Sequence, residues 1–218
     1  MIFITITYPF IWCLWNSTYH WILGSEPRYV GLYNYYNILF GSLSRNFWHS
    51  IIITIYLTAG TVFLQLALGI GLALIITEFR GRIASKLLKS ICIIPMALPP
   101  VVTGLIWGTF LYNPTYGLFN YFLSLFGLPP QLWTYSPSQA LASIMLILVW
   151  QWTPFVILMI LAGLESLPKD PIEAALIDGA SRWHVIRYIK LPLLKPIILA
   201  VTILRTIDTL RAFDIIVS

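Results

Sequence analysis

Apolar residues form long runs along this chain, and charged or turn-forming residues interrupt them at only a few places. A helix needs about 20 mainly apolar residues to cross a bilayer, and these runs are long enough. They predict five membrane-spanning helices, at about residues 1–22, 50–77, 88–112, 138–164 and 191–214. Since Pro95, Pro99 and Pro100 lie in the third, we expect that span to be kinked or locally unwound.

The two ends of the chain fall inside apolar runs. The first span begins at Met1 without a hydrophilic lead, and the fifth is barely complete at Ser218. A cleaved signal peptide is the alternative for the first span. That span has neither a basic start nor a small-residue cleavage site, so we expect a retained helix. We also expect the chain to be truncated at both ends.

The composition predicts the fold class. Of the 218 residues, 59% are hydrophobic and 10% are charged, whereas a soluble domain carries about 25% charged residues. Because helices satisfy their own backbone groups in lipid, the runs predict an all-α polytopic membrane protein with a single domain, residues 1–218. Cys13 and Cys92 lie inside apolar runs, where we expect free thiols rather than a disulfide or a metal site.

Positive charge indicates the side of the membrane on which each loop lies. The loop after the second span carries Arg80, Arg82, Lys86 and Lys89, and the positive-inside rule places it in the cytoplasm. Two more crossings bring residues 165–190 to the same side. The net charge of +5 is therefore explained by topology, and we do not predict nucleic-acid binding.

Two polar-aromatic segments lie between the spans. Residues 24–48 interleave tyrosine and tryptophan with few charges, which is typical of a membrane interface. Residues 117–126, with the sequence GLFNYFLSLF, lie between two turn clusters. They predict a short amphipathic helix along the outer surface.

Residues 165–190 carry the signals of a short first helix. Asp170 is placed as its N-cap, with Pro171 at the first helical position. Glu173 stands three residues after the cap, which is the capping-box spacing. Gly179 is placed to end the helix in the left-handed conformation that glycine favours.

A second short helix follows that glycine. Ser181 is placed to cap it, and we expect it to run from Arg182 to Lys190. Pro192 should stop it, because proline lacks the N–H that an interior helical position needs. A charged pair of short helices between two apolar spans is the predicted working surface.

Polar groups inside the spans form a second set of candidates. Gln65 is a lone amide in the second span, where a helix–helix hydrogen bond is the favoured interpretation. In the fifth span Arg205, Asp208, Arg211 and Asp214 alternate in sign at intervals of three, which places opposite charges side by side. Two interpretations remain open, a polar lining of a translocation path and a structural ladder.

No catalytic constellation is found in the sequence. The three histidines are scattered without metal-ligand spacing, and the nucleotide-binding pattern G-x-x-x-x-G-K-[ST] is missing. We therefore predict no enzyme activity, no metal and no cofactor on this chain.

Residues 165–190 resemble a known family motif, and this segment is called the coupling loop from here on because of the role that the resemblance implies. Glu173-Ala174-Ala175, followed by Gly179 and then Ile189-x-Leu191-Pro192, is similar at every defined position to the EAA motif. This motif belongs to permease subunits of binding-protein-dependent ABC importers. Longer segments resemble the carbohydrate-uptake subclass of that family, namely VGLYNYYN, IIPMALPPVVTGLIW, WQWTPFVILMILAGLESLPKD and LRAFDIIVS.

The resemblance implies a type I permease core of six spans, of which this chain supplies about five. It implies a coupling helix that docks on a cytoplasmic ATP-binding cassette subunit, where ATP and Mg²⁺ are bound. Its docking residues would be Asp170, Glu173, Ala174, Ala175, Asp178, Gly179, Ala180 and Ser181. The implied partners are two cassette subunits, a related but distinct second permease, an extracellular solute-binding protein and the lipid bilayer of a prokaryotic plasma membrane.

The resemblance also implies a sugar or a related solute. Aromatic rings and amides suit sugars, and the candidates along the path are Trp107, Tyr112, Asn113, Gln151, Arg205, Asp208 and Arg211. Anchoring at the membrane interface would explain the tryptophans as well as contact with a sugar does. The family usually has a cytoplasmic lead-in and one more span, and we expect neither within residues 1–218. A secondary transporter or a non-transport membrane scaffold is the alternative function.

Overall fold

The computed structural model describes residues 2–22, 24–78 and 83–211, most of which are helical. Their α-helices are α1 (Ile2–Asn16), α2 (Tyr33–Leu39), α3 (Ser44–Glu78), α4 (Ile83–Ala97), α5 (Pro100–Leu105), α6 (Leu118–Leu125), α7 (Pro137–Ser166), α8 (Asp170–Ile177), α9 (Arg182–Val185) and α10 (Leu191–Leu210). Two π-helical turns, Ile106–Leu111 and Ile186–Lys190, and a 3₁₀ turn, Trp133–Tyr135, join them. Two-residue strands β1 (Tyr19–His20) and β2 (Arg28–Tyr29) pair antiparallel. The predicted all-α fold class is confirmed.

The chain divides into two units, residues 1–55 and 56–218. In the first unit, the predicted span 1–22 is too long, because α1 ends at Asn16 and β1 follows it. The hydroxyls of Ser17 and Thr18 bond the carbonyls of Leu14 and Trp15. Such local side-chain bonds compete with the helical ladder and favour its end at this point.

Two helices in the described part of the chain, α3 and α7, are long and apolar enough to cross a membrane. They correspond to the predicted second and fourth spans, although α3 begins earlier than expected, at Ser44. Helix α1 has only 15 residues, and α10 includes Lys195, Arg205 and Asp208. The first and fifth crossings therefore stay predictions.

The predicted third span is broken, as its prolines indicated. Segments Ser90–Ala97 and Pro100–Leu111 meet at an angle of 95°, and together they pass the same test of length and composition. Pro99 has φ −58° and ψ 144°, an extended backbone that ends one helix and starts the next. Lys86 and Lys89 fall on α4 rather than in a loop. The other basic residues of that predicted loop, Arg80 and Arg82, lie outside the described residues.

The apolar core of the second unit joins α3, α7 and α10. Buried side chains from these helices pack together, among them Ala73, Val156, Ile160, Leu194 and Val201. Burial of such side chains holds a bundle by close packing in lipid, where water does not drive association.

Small residues set how closely these helices approach. A Cβ on Gly69 would lie 2.5 Å from Val156, and one on Gly163 would lie 2.7 Å from Ile197. The small residues of the second span, which include Gly60 and Gly71, are typical of close helix contacts. Gly60 does face Met145, but a Cβ on Gly71 would meet nothing within 4 Å. Gly71 makes no such contact, because it lies on a different face of α3 from Gly69.

Candidate functional site

The first helix of the coupling loop begins one residue earlier than its sequence signals indicated. Lys169 is the N-cap residue of α8, and its carbonyl accepts from the N–H groups of Ile172 and Glu173. No side-chain hydrogen bond caps the helix. The predicted cap at Asp170 and its capping box with Glu173 are therefore wrong. Both carboxylates instead lie in the first turn of α8, where the positive end of the helix dipole favours them.

The end of α8 matches the prediction. Gly179 has φ +84°, a left-handed conformation that costs other residues about 1–2 kcal/mol. The N–H of Ala180 donates to the carbonyl of Ala175 at 2.9 Å, and that of Gly179 donates to Leu176 at 3.1 Å. The backbone N–H of Asp178, the C-cap residue, donates to the carbonyl of Ala174 at 3.0 Å. These bonds form a Schellman motif that fixes a sharp bend.

The second helix of the coupling loop starts as predicted but does not stop as predicted. The hydroxyl of Ser181 accepts from the N–H of His184 at 3.3 Å, which confirms the cap. After α9 the backbone continues through the π-helical turn Ile186–Lys190 directly into α10. Pro192 therefore follows the π-helical turn directly and does not end the helix, because the shifted hydrogen-bond register accommodates it. The coupling loop is thus joined to α10 by continuous helix.

Several large apolar side chains of the coupling loop are exposed. The exposed fraction is 85% for Ile177, 65% for Trp183 and 48% for Leu176. No residue of α8 is buried. Exposed apolar side chains among charged residues are typical of a protein-binding site. Ile177 and Trp183 were not among the predicted docking residues, although apolar residues in a charged loop were a usable signal.

Opposite charges surround a small cavity between α8 and the body of the protein. The cavity measures about 190 Å³. Its lining residues are Thr77, Leu164, Glu165, Leu167, Lys169, Ile172, Glu173 and Lys190. Glu173 therefore faces the cavity, while the apolar side chain of Ile177 is turned to solvent.

An ion pair ties the coupling loop to the end of α3. The guanidinium of Arg182 donates to the Oε2 atom of Glu78. Both side chains are largely exposed, at 81% and 48%, so the pair contributes little stability. It connects α9 to the end of α3.

A buried guanidinium joins three helices of the second unit. Arg205 on α10 is 1% exposed, and its Nε atom donates to Oε1 of Gln65 on α3 at 3.1 Å. Its guanidinium carbon lies 4.4 Å from the centre of the Trp152 ring on α7. Nε2 of Gln65 donates to the carbonyl of Leu148 at 2.9 Å. The predicted helix–helix role of Gln65 is confirmed.

The predicted charge ladder is seen in part. Nη1 of Arg205 donates to Oδ2 of Asp208 at 3.0 Å, and the Asp208 side chain is 52% exposed. Arg211 is exposed at the end of α10, and its N–H donates to the carbonyl of Asp208. Asp214 lies outside the described residues. The described part of the ladder therefore runs from a buried end at Arg205 to an exposed end at Arg211.

Three of the solute-path candidates lie in or beside a packed aromatic cluster. The Trp107 ring lies 5.2 Å from Tyr112 and 5.4 Å from Trp150, and the Tyr112 ring stacks on Trp133 at 5.0 Å. The hydroxyl of Tyr112 donates to the carbonyl of Ser143. Oδ1 of Asn113 accepts from two backbone N–H groups of its own turn. These contacts give all three a structural role, and their contact with a solute stays a prediction.

Gln151, on α7, lies beside the break in the third span. Its Nε2 atom donates to the carbonyl of Leu98 at 3.1 Å, a group that the proline break leaves without a helical partner. Its Oε1 atom is buried without a hydrogen-bond partner. Among the described residues, no group of three or more His, Cys, Asp or Glu could hold a metal ion.

The chain is similar to known transport proteins over nearly its whole length. It is 44% identical over 192 residues to the trehalose/maltose transport system permease protein MalF of Thermococcus litoralis, covering 88% of this chain and 63% of the relative. It is 33% identical over 217 residues to the trehalose transport system permease protein SugA of Mycobacterium tuberculosis, covering 98% and 67%. The chain thus spans less than two thirds of the length of the first of these relatives.

A solved structure shares the fold. A bacterial ABC transporter involved in the import of the acidic polysaccharide alginate superimposes with a TM-score of 0.79 at 24% identity, covering 93% of this chain and 67% of that one. The model of the family described as binding-protein-dependent transport system inner membrane component matches residues 65–217. The matched residues include the coupling loop and the Gln65–Arg205 bond. The chain belongs to this family of ABC transporter permeases.

Proposed function

We propose that this chain forms half of the translocation path of an ATP-driven importer for a sugar or a related solute. The second half is a related but distinct permease, and an extracellular solute-binding protein delivers the solute. ATP and Mg²⁺ are bound by two cassette subunits in the cytoplasm of a prokaryotic cell. Family membership and the carbohydrate names of the relatives support the importer and its solute class.

The coupling loop is the element that receives force from the cassettes. The observation that carries this proposal is the exposed apolar surface of Ile177 and Trp183, next to the sharp bend at Gly179. A docked cassette would cover that surface, and the burial of two such side chains is worth several kcal/mol at about 25 cal/mol per Å². Since α9 continues into α10 without a break, a push on the loop is transmitted to a helix of the core.

Co-expression with a cassette subunit and a second permease tests this proposal. We expect the three chains to purify together, and the assembled complex to raise its ATPase rate when loaded binding protein is added. The double substitution Glu173→Ala and Gly179→Asp should abolish this stimulation. Glu26→Ala, at an exposed position of the first unit, is the matched control. Full stimulation in the Glu173/Gly179 variant would contradict the coupling role.

A further inference from the structure

A second cavity lies in the segment between α5 and α7. It measures about 490 Å³. Its lining residues are Pro114, Thr115, Tyr116, Gly117, Asn120, Tyr121, Ser124, Leu128 and Pro130. None of these side chains is charged. Two are tyrosines whose rings are mainly exposed, at 67% for Tyr116 and 59% for Tyr121.

Helix α6 has three distinct faces, and only one of them lines this cavity. Phe119 packs inward against the aromatic rings of Trp107 and Tyr112. An apolar stripe of Leu118, Phe122 and Leu125 is exposed. At about 100° per residue, the cavity-lining face lies roughly a third of a turn from that stripe. The exposed apolar stripe and the cavity are therefore on different sides of the helix.

Three residues of α6 and its N-cap residue Gly117 line the cavity with helical spacing. These are Gly117, Asn120, Tyr121 and Ser124. Their offsets of three, four and seven residues place them on one side of the helix. Tyr121 and Ser124 thus line the cavity on the same side of the helix as Asn120.

Asn120 fixes the floor of the cavity. Its Nδ2 atom lies within hydrogen-bond distance of the carbonyls of Pro114 and Gln131, at 3.1 and 2.9 Å. Its Oδ1 atom accepts from the N–H of Gln131 and from Nε1 of Trp133, both at 3.0 Å. A single buried side chain therefore holds the turn before α6 and the loop after it in one arrangement.

Gly117 allows the turn to close. A Cβ at this position would collide with backbone atoms, lying 2.7 Å from the nitrogen of Asn113 and 2.7 Å from the carbonyl of Leu111. Oδ1 of Asn113 accepts from the N–H groups of Thr115 and Tyr116, which orders the rim. The cavity is therefore preorganised, which lowers the entropy lost on binding a ligand.

We propose that this cavity is an entry subsite for a neutral carbohydrate on the outer face of the importer. Aromatic rings offer apolar faces on which a sugar ring can stack, and backbone carbonyls and hydroxyls at the rim can bond its hydroxyls. Because no lining residue carries a charge, the subsite favours neutral sugars over uronic acids, which would need a cationic partner. The inference rests on the proposed function, since that function places this segment outside the cell.

Local thiol protection tests the subsite in intact cells that express the full importer. Thr115→Cys places a thiol at the exposed rim, in a background in which Cys13 and Cys92 are replaced by serine. A membrane-impermeant maleimide should label it, and saturating trehalose or maltose should slow labelling roughly three- to tenfold. A disaccharide of uronic acids should give no protection. Ser138→Cys, which is exposed but does not line the cavity, should label equally with and without sugar.

Substitution of the tyrosines separates stacking from interface anchoring. Tyr116→Ala with Tyr121→Ala should abolish the protection, whereas Tyr116→Phe with Tyr121→Phe should keep it because the rings remain. If Thr115→Cys labels from outside but no sugar protects it, the subsite is refuted while the proposed importer stands. Equal protection by the uronic-acid disaccharide also refutes it. Labelling only after the cells are lysed would contradict the topology of the proposed function itself.

Discussion

Gln65 and Arg205, 140 residues apart in the chain, are joined by a hydrogen bond of 3.1 Å between Oε1 and Nε. Since Gln65 also donates to the carbonyl of Leu148, one amide connects α3, α7 and α10. Gln65→Leu, which is close to it in volume, removes both bonds and leaves the buried guanidinium short of an acceptor. We expect the free energy of unfolding to fall by about 1–3 kcal/mol, measured by thermal unfolding of the purified chain in detergent.

Two further variants show whether that loss comes from the Gln65–Arg205 bond. Thr206→Ala is the control, because its hydroxyl bonds only the carbonyl of Thr202 within α10, and we expect a loss below about 0.5 kcal/mol. The double variant Gln65→Leu and Arg205→Met should lose less than the sum of its two single variants. Strict additivity would show that the two side chains do not depend on each other.

The contact between α3 and α7 at Gly69 allows little extra volume. Gly69→Ala would press a methyl group against Val156, and we expect a loss of about 1–3 kcal/mol through forced displacement of packed atoms. Gly71→Ala adds the same methyl group to open space on the same helix and should leave the unfolding temperature unchanged or raise it. Val156→Ala should partly rescue Gly69→Ala. Equal stability of the Gly69 and Gly71 variants would argue against the close approach of α3 and α7 at Gly69.

The bend of the coupling loop depends on a left-handed residue. At Gly179, with φ +84°, we expect alanine to cost about 1–2 kcal/mol locally, enough to loosen the Schellman motif. ATPase stimulation by loaded binding protein should fall several-fold in Gly179→Ala. Gly179→Asn should retain most of it, because asparagine tolerates this conformation. Equal activity of the alanine and glycine proteins would show that the bend is not needed.

The Arg182–Glu78 ion pair positions the coupling loop without adding much stability. Because both side chains are exposed, we expect Glu78→Arg to change the free energy of unfolding by less than about 1 kcal/mol. The same variant should lower the coupling of ATPase to transport, since it repels Arg182 from the end of α3. Exchange of the charges, Glu78→Arg with Arg182→Glu, should restore coupling. An exchange variant as defective as the single variant would contradict this role.

The sequence predicted the parts of the fold that follow from one segment alone. The apolar runs of α3 and α7, the break at Pro99 and the left-handed Gly179 were all foreseen. Each of them depends on local backbone chemistry or on the length of a run. The helix–helix role of Gln65 was foreseen because a buried amide in a membrane needs a partner.

The errors arose where local signals compete with neighbouring structure. Pro192 was expected to stop a helix, but the π-helical turn before it shifts the hydrogen-bond register so that the helix continues. Asp170 was expected to cap α8, but the carbonyl of Lys169 takes that place. The role of Asn120 depends on Gln131 and Trp133, which follow α6 by several residues. No periodicity in the sequence indicates such a contact.

The claim that the coupling loop contacts a cassette subunit is tested most directly by site-specific photo-cross-linking in the assembled importer. A benzophenone amino acid at Ile177, the most exposed apolar position of α8, should form a product with the co-expressed cassette subunit, identified by mass spectrometry. The same benzophenone amino acid at Phe63, an apolar position on α3 that is 70% exposed, should form no product with the cassette subunit. A cassette product from Phe63 alone, or from neither position in a complex that hydrolyses ATP, would contradict the account.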